Sequence, residues 1–381
     1  MSLTYNYQDI QTICTGATVL ASGGGGSYQV GTSIVDKGVS QSAEFTVLAM
    51  DEVSPTDWYC VSCDIGEPSQ LIGHPHIHAP GNALAALEEN MKTTTFSGLL
   101  PVEIGAVSSV IPFVVAGQRS LPVVDADGAG RAVPTLPLLT FGGYGLPISP
   151  SCLASNGNPQ YVDQYFPDLP LSEAEAAFVK VFMPAPYDGI AGLACWPLQG
   201  SSLQTAGGLP VAVGGTYADC HAVGGIFAAG GDVVQNIVDY LNCSAGRFCL
   251  PIFQGNVTAM TQGTGPQDLG TITITNGEEA TLTISYQNEN MLAYLSSYST
   301  TEPYIMGPDS ICYVPSGSTV FDNSDLYVLV TNGEQPAVTV LGIDPSPVVS
   351  QSATLMAQWQ GALANIAYDG PYCQPWKSNS K

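Results

Sequence analysis

The sequence predicts a two-part α/β protein: an N-terminal domain with a mainly parallel sheet, and a β-rich C-terminal domain. Three observations carry this expectation. Through about residue 130, short apolar runs alternate with helix-length amphipathic stretches, the pattern of strand–helix–strand units. Residues 150–172 are crowded with Pro, Asn, Gly and Asp, and the domain boundary is placed there. After Gly255 the apolar period falls to two. The division is residues 1–165, 170–350, and a C-terminal helix and tail over 351–381 that can pack back on the first domain.

In chain order, Asp9 caps a helix over about 10–20 that ends in Ala21-Ser-Gly-Gly-Gly-Gly-Ser27. A second helix covers about 28–37. Segments 45–50 and 58–63 read as buried strands, and 81–91 as a helix. A strand over 99–104, a helix over 106–118 and a strand over 121–125 continue the alternation. A helical stretch over about 218–241 is interrupted at Gly230-Gly231. Thr271-Ile-Thr-Ile-Thr275 and Thr281-Leu-Thr-Ile-Ser285, either side of Asn276-Gly277, predict a hairpin. A last helix covers about 353–368.

Charge restricts the partners. The chain carries 32 acidic against 8 basic residues, a net charge of −24. Such a surface repels nucleic-acid backbones and anionic lipid heads, so neither is an expected partner, and a small molecule is. The scarce cations Arg119, Arg131 and Arg247 each merit a look, against the plain alternative of a surface salt bridge. No apolar run is long enough to span a membrane, and the N-terminus has no signal-peptide pattern. A cytoplasmic location, a homo-oligomer and at most one disulfide among the ten cysteines are therefore expected. The sequons at Asn242 and Asn256 are read as chance matches.

Several segments could carry chemistry. Gly23, Gly24, Gly25 and Gly26, with Ser27, lie between two helices, where backbone amides can converge to cradle an anion or a developing oxyanion. The alternative is a tight turn that lets helices pack closely. Glu103 ends one expected strand, and Asp125 and Asp127 end the next. Ligands of open parallel sheets collect beyond the carboxyl ends of strands, so these three carboxylates could share a proton or hold a metal. Arg131 could orient an anionic substrate group. The blander account of Asp127-Gly-Ala-Gly130 is a turn with a capping Asp. His74, His76 and His78 alternate in a proline-bounded loop, a spacing that suits a divalent metal such as zinc; an exposed loop with no ligand is the alternative. Cys220 and His221 are adjacent on a helix and point about 100° apart, which does not make a dyad. Cys60 and Cys63 read as core packing.

Three of these segments resemble the N-terminal hallmarks of the S-methyl thiohydantoin desulfurase family: Leu20–Ser27, Pro101-Val-Glu-Ile-Gly105 and Leu121–Ala132. Phe253-Gln-Gly-Asn-Val257, Gln287-Asn-Glu-Asn290, Gly307-Pro-Asp-Ser-Ile311 and Tyr368-Asp-Gly-Pro-Tyr372 resemble its C-terminal hallmarks. The resemblance implies attack of water on a hydantoin-like ring with loss of a sulfur substituent. Members fused to hydantoinase- and oxoprolinase-like chains point to cyclic amides or imides. Two departures stand out: Gly225 and Asn256 occupy positions where the family commonly has basic residues, and the His-rich segment is an addition to the pattern.

The expectation is a hydrolase in which Asp125 or Asp127, with Glu103, activates water, the Gly23–Gly26 amides stabilise the oxyanion, and Arg131 and Asn290 fix the substrate. The alternative is a catalytically inactive relative that binds a small metabolite or serves as an assembly subunit. A further expectation is that Gly25 can be replaced with little loss of stability.

Overall fold

The computed structural model describes residues 2–66, 71, 75–92, 95–204, 210–263, 268–277, 280–299 and 301–378. The first part is organised by an eight-stranded sheet in the order β1-β2-β5-β4-β3-β9-β7-β8. Its strands are β1 (Leu3–Asn6), β2 (Glu44–Leu48), β3 (Trp58–Gly66), β4 (Phe96–Leu100), β5 (Val123–Val124), β7 (Ser151–Ala154), β8 (Asp163–Phe166) and β9 (Ile190–Gln199). β6 (Ala126–Asp127) pairs separately with β10 (Val213–Gly214).

The sheet is mixed rather than mainly parallel. β2, β5, β4 and β3 pair in parallel, while β1 and the β9-β7-β8 flank are antiparallel. Chain connectivity explains the flank. Only residues 155–162 join β7 to β8, too few for a crossover, so that pair must run antiparallel. β9 lies between β3 and β7, so this sheet continues past the Pro- and Asn-rich segment at 150–172.

Local sequence accounts for the helices. Asn6 caps helix Tyr7–Leu20: its side chain accepts from the Gln8 and Asp9 amides, and Asp9 returns a bond to the Asn6 amide. Asp9 is thus the third helical residue of a capping box, not the cap. Pro112 sits in the first turn of helix Ile111–Arg119, which starts later than the apolar periodicity suggested. The long helical stretch breaks at Gly230-Gly231 into Thr216–Ala229 and Val233–Cys243, as the glycine pair implied.

The second part is a seven-stranded antiparallel sheet in the order β15-β14-β13-β12-β11-β17-β16. It comprises β11 (Cys249–Gln262), β12 (Leu269–Thr275), β13 (Thr281–Gln287), β14 (Glu289–Leu295), β15 (Ile305–Met306), β16 (Ser310–Pro315) and β17 (Ala337–Ile343). β12 and β13 form the expected hairpin, with Thr275 opposite Thr281. Helix Ala353–Asn365 returns to the first part: its buried Leu355 and Trp359 join the core that contains Leu136, Leu138 and Phe141.

All ten cysteines are free. Among the described residues, no helix is long and apolar enough to cross a membrane.

Candidate functional site

A cavity of about 220 Å³ opens where the carboxyl ends of β3 and β4 face the second sheet. One wall is Gly23–Ser27. Asp64 and Glu103 come from the segments ending and following the two parallel strands, as the strand-end rule leads one to expect. Asn288 and Glu289 come from the tight turn between β13 and β14, and Asp322 precedes helix Asn323–Thr331. Val30, Leu71, Val102, Val107 and Leu139 supply much of the apolar surface.

The glycine loop is held from both sides. The Val107 and Ser108 amides donate to the Gly25 carbonyl at 3.0 and 3.3 Å, and the Asn323 amide donates to the Gly23 carbonyl at 2.9 Å. Gly25 has φ +71°, and a Cβ there would lie 2.4 Å from the Gly105 Cα. Both the left-handed backbone and the touching chains require glycine, so Gly25 is not cheaply replaceable. A Cβ on Gly24 would fall 2.3 Å from Glu289 Cγ and Oε1, so bare backbone at that position makes room for this carboxyl. The Gly24 amide bonds to the Ala21 carbonyl at 3.3 Å, and the Gly25 amide is directed at the Glu289 carboxyl. Among the described residues, no acceptor within the chain takes the Gly26 or Ser27 amide. The loop therefore serves close packing and also forms one wall of the cavity.

The carboxyls around the cavity hold their protons unusually well. Glu103 accepts from the Val133 amide (2.8 Å) and from Ser108 Oγ (3.2 Å), yet burial pushes its pKa up to about 8. Glu289 is only 4% exposed, and its Oε2 has no hydrogen-bond partner among the described residues. Burial, then the nearby Glu103 charge, raise its pKa well above the usual range, and Arg131 opposes them. Both Asp64 oxygens are shielded from water and without partners among the described residues, and burial alone pushes its pKa far up. The Glu103 charge adds to burial at Glu289, the Asp127 charge adds to burial at Glu103, and both carboxyls favour a retained proton.

The other residues singled out in the sequence lie elsewhere. Asp125 and Asp127 do not line the cavity. Asp125 Oδ1 accepts from the Tyr217 and Ala218 amides at 2.7 and 3.3 Å, capping helix Thr216–Ala229. Asp127 accepts from the Ala129 and Gly130 amides, the turn-capping arrangement, and burial raises its pKa to about 7. Backbone amides thus account for both carboxylates. Arg131 is buried, and its guanidinium donates to the carbonyls of Ala132, Asp309 and Asn290 while lying 5.0 Å from the Trp359 ring centroid. Asn290 is fully buried: its side chain donates to the Ile311 carbonyl and accepts from Tyr313 and Asn323. Arg131 holds the β13–β14 turn against the first part, the Asn290 side chain ties the turn to β16 and to helix Asn323–Thr331, and neither is part of the cavity lining.

His74 lies outside the described residues. His76 Nδ1 is buried without a partner among the described residues, and His78 Nε2 lies 3.2 Å from Asn158 Nδ2. Among the described residues, no three His, Cys, Asp or Glu side chains are placed to hold a metal. Gly225 and Asn256, where the family commonly has cations, are not part of the cavity lining.

Sequence reasoning missed Glu289, Asp64 and Asp322. Asp64 follows a buried strand just as Glu103 does, and the same rule would have found it. Glu289 stands inside the segment that supplied Asn290, but only the fold shows that the turn enters the first part.

Fold and cavity define a two-domain protein whose acid-lined cleft lies between the sheet of one part and a hairpin of the other. Residues 8–164 match the family described as S-Me-THD-like, N-terminal domain, and residues 174–357 match S-Me-THD-like, C-terminal domain. The chain belongs to this family, that of the S-methyl thiohydantoin desulfurases. No curated protein matches it. A crystal structure of a protein from Chromobacterium violaceum, from a structural genomics consortium, is similar with a TM-score of 0.84 and 24% identity, covering 97% of this chain and 99% of that one. That likeness supports the fold.

Proposed function

We propose that the chain is a hydrolase that replaces a sulfur substituent on a thiohydantoin-like five-membered ring with water, in the cavity between Gly23–Ser27 and the Glu103–Glu289 pair. The observation that carries this reading is the juxtaposition of two proton-retaining carboxyls with backbone amides that have no partner among the described residues. The family supplies the ring chemistry, and the cavity supplies the groups for it.

In the proposed reaction, the water oxygen forms a bond to the ring carbon that carries sulfur. Glu103 in its ionised form accepts a proton from that water. With a pKa of about 8, it is a stronger base than an ordinary carboxylate and is still ionised in part near neutral pH. The protonated member of the pair supplies a proton to the ring nitrogen, so the negative charge does not build up unaided. Gly26 and Ser27 line the same cavity, and their amides are the donors assigned to the developing oxyanion. The hydroxyl on that carbon returns its proton to the carboxylate that protonated the nitrogen as the carbonyl forms; the carbon–sulfur bond breaks, and the thiol leaves with the proton that Glu103 took from water. Asp125, Asp127, Arg131 and Asn290 hold the surrounding structure and take no direct part.

The test is incubation of the intact chain with S-methyl thiohydantoin in heavy-oxygen water. The expected outcome is release of methanethiol and a hydantoin with label at the new carbonyl. Absence of thiol over a panel of ring substituents refutes the reading.

A further inference from the structure

The cavity is lined by Asp64, Glu103, Glu175, Asp268, Glu289 and Asp322, and no Lys, Arg or His lines it among the described residues. Acidic residues gathered at a surface would mean little, since solvent and counter-ions satisfy them. Here the Glu289 side chain is 96% removed from solvent and ends in an unpartnered Oε2. Asp64 contributes two further shielded oxygens without partners. A buried acceptor left unmade is costly, about 1–3 kcal/mol. The arrangement makes sense if a ligand with donors fills it.

We propose that this cavity binds a planar, delocalised N–C–N cation, of the amidinium or isothiouronium class, in exchange for a proton held by the carboxyls. Three features select that class. A planar cation offers paired N–H donors, which match a carboxylate side by side. The apolar walls, Val30, Val102, Val107 and Leu139, suit a weakly hydrated flat group better than a compact ammonium ion. A divalent metal is disfavoured, since no three described ligands converge.

Proton exchange follows from the charges that face one another. Glu289 packs against Gly24 of the loop and lies within electrostatic reach of Glu103, which follows β4, and of Arg131; Asp127 acts on Glu103 from outside the lining, which Asp64, Asp322, Asp268 and Glu175 complete. Without a ligand, burial keeps protons on Glu103 and Glu289, with the Asp127 charge adding to it at Glu103 and the Glu103 charge adding to it at Glu289, while Arg131 opposes both. An entering cation favours the ionised form, so a proton must leave. The inference deepens the proposed hydrolysis and rests on it for the substrate: an S-alkyl thiohydantoin protonated on its ring nitrogen is a cyclic isothiouronium. In that form its carbon is more electrophilic, and the carboxylate left behind is positioned to take the proton of the attacking water.

The test uses S-methylisothiouronium as the probe, titrated calorimetrically into the full chain between pH 6 and 9 in buffers of different ionisation enthalpy. The expected result is binding that releases close to one proton. Affinity should rise by up to about tenfold per pH unit, flattening once the responding carboxyl has ionised. Methylurea, flat but uncharged, should bind at least tenfold more weakly. Glu289→Gln should lower the probe's affinity at least tenfold, with Asp64→Asn as a second variant in case the first fails to fold. Glu44→Gln, at the exposed first residue of β2, should leave affinity unchanged.

No binding at millimolar probe, binding without proton release, or equal binding of methylurea overturns the inference. Failure of the two readings is distinguishable. Thiol release from a thiohydantoin without probe binding sinks only the cation site. Proton-linked probe binding with no thiol release sinks only the hydrolase.

Discussion

Replacing Arg131 with Met separates a structural role from a substrate-binding one. The guanidinium donates to the Ala132, Asp309 and Asn290 carbonyls at 2.9, 2.6 and 2.7 Å, all in the buried joint between the two parts. Met fills similar space beside Trp359 but supplies no donor. The Asn290 carbonyl retains only a 3.5 Å contact from Ser22 Oγ. Each buried carbonyl left without a donor costs about 1–3 kcal/mol, and relief of burying the charge offsets part of the sum. The net loss is about 3–5 kcal/mol. Against a urea dependence of about 3–4 kcal/mol per molar for a chain of this size, the unfolding midpoint falls by about 1 M. Tryptophan fluorescence during urea unfolding reads the change, because Trp359 lies against Arg131. A midpoint within about 0.2 M of the parent would refute the structural assignment and return Arg131 to the substrate.

Further outcomes follow from the same joint and cavity. Stability should fall as pH rises from about 5 to 8. The folded protein keeps protons on Glu103, Asp127 and Asp309, with pKa values of about 8, 7 and 7, where the unfolded chain has lost them. Each proton retained lowers stability by up to about 1.4 kcal/mol per pH unit in that window, and thermal unfolding at pH 5, 6, 7 and 8 would show it; a midpoint that rises with pH contradicts the assignments. Gly25→Ala should lose about 2–3 kcal/mol through its positive φ and its contact with Gly105, read by chemical denaturation. Deleting residues 372–381 removes the Tyr372, Gln374 and Trp376 donors from the buried Asp309 carboxylate, and should destabilise the protein by about 3 kcal/mol or more in the same assay.

Which of these features the sequence discloses depends on how local they are. The glycine loop is legible because four successive glycines between two amphipathic stretches admit few conformations. The β12–β13 hairpin is legible because alternation and turn chemistry agree. Glu103 is legible because it follows an apolar strand, and ligand sites collect at such ends. Asp125 and Asp127 satisfy the same rule, but the helix N-terminus at Tyr217 and Ala218 and the amides of Ala129 and Gly130 claim them, and only the first of those partners is distant in sequence. The β3–β9 antiparallel pairing joins segments more than a hundred residues apart, so strand–helix alternation could not announce a mixed sheet. Glu289 is the clearest case of what stays hidden. It is one acid between Asn288 and Asn290, and its significance arises when a turn of the second part meets the loop at Gly24.

The central claim is that Glu103 and Glu289 form the acid–base pair of the cavity, and Glu289→Gln tests it most directly. The amide keeps the shape and removes the titrating group, so folding should be preserved, which the unfolding midpoint checks. The measurement is methanethiol released from S-methyl thiohydantoin as a function of pH. The account predicts a loss of about 10²–10⁴-fold in turnover, together with a changed pH profile, because one member of the coupled pair no longer titrates. Turnover and pH profile matching the parent would contradict it.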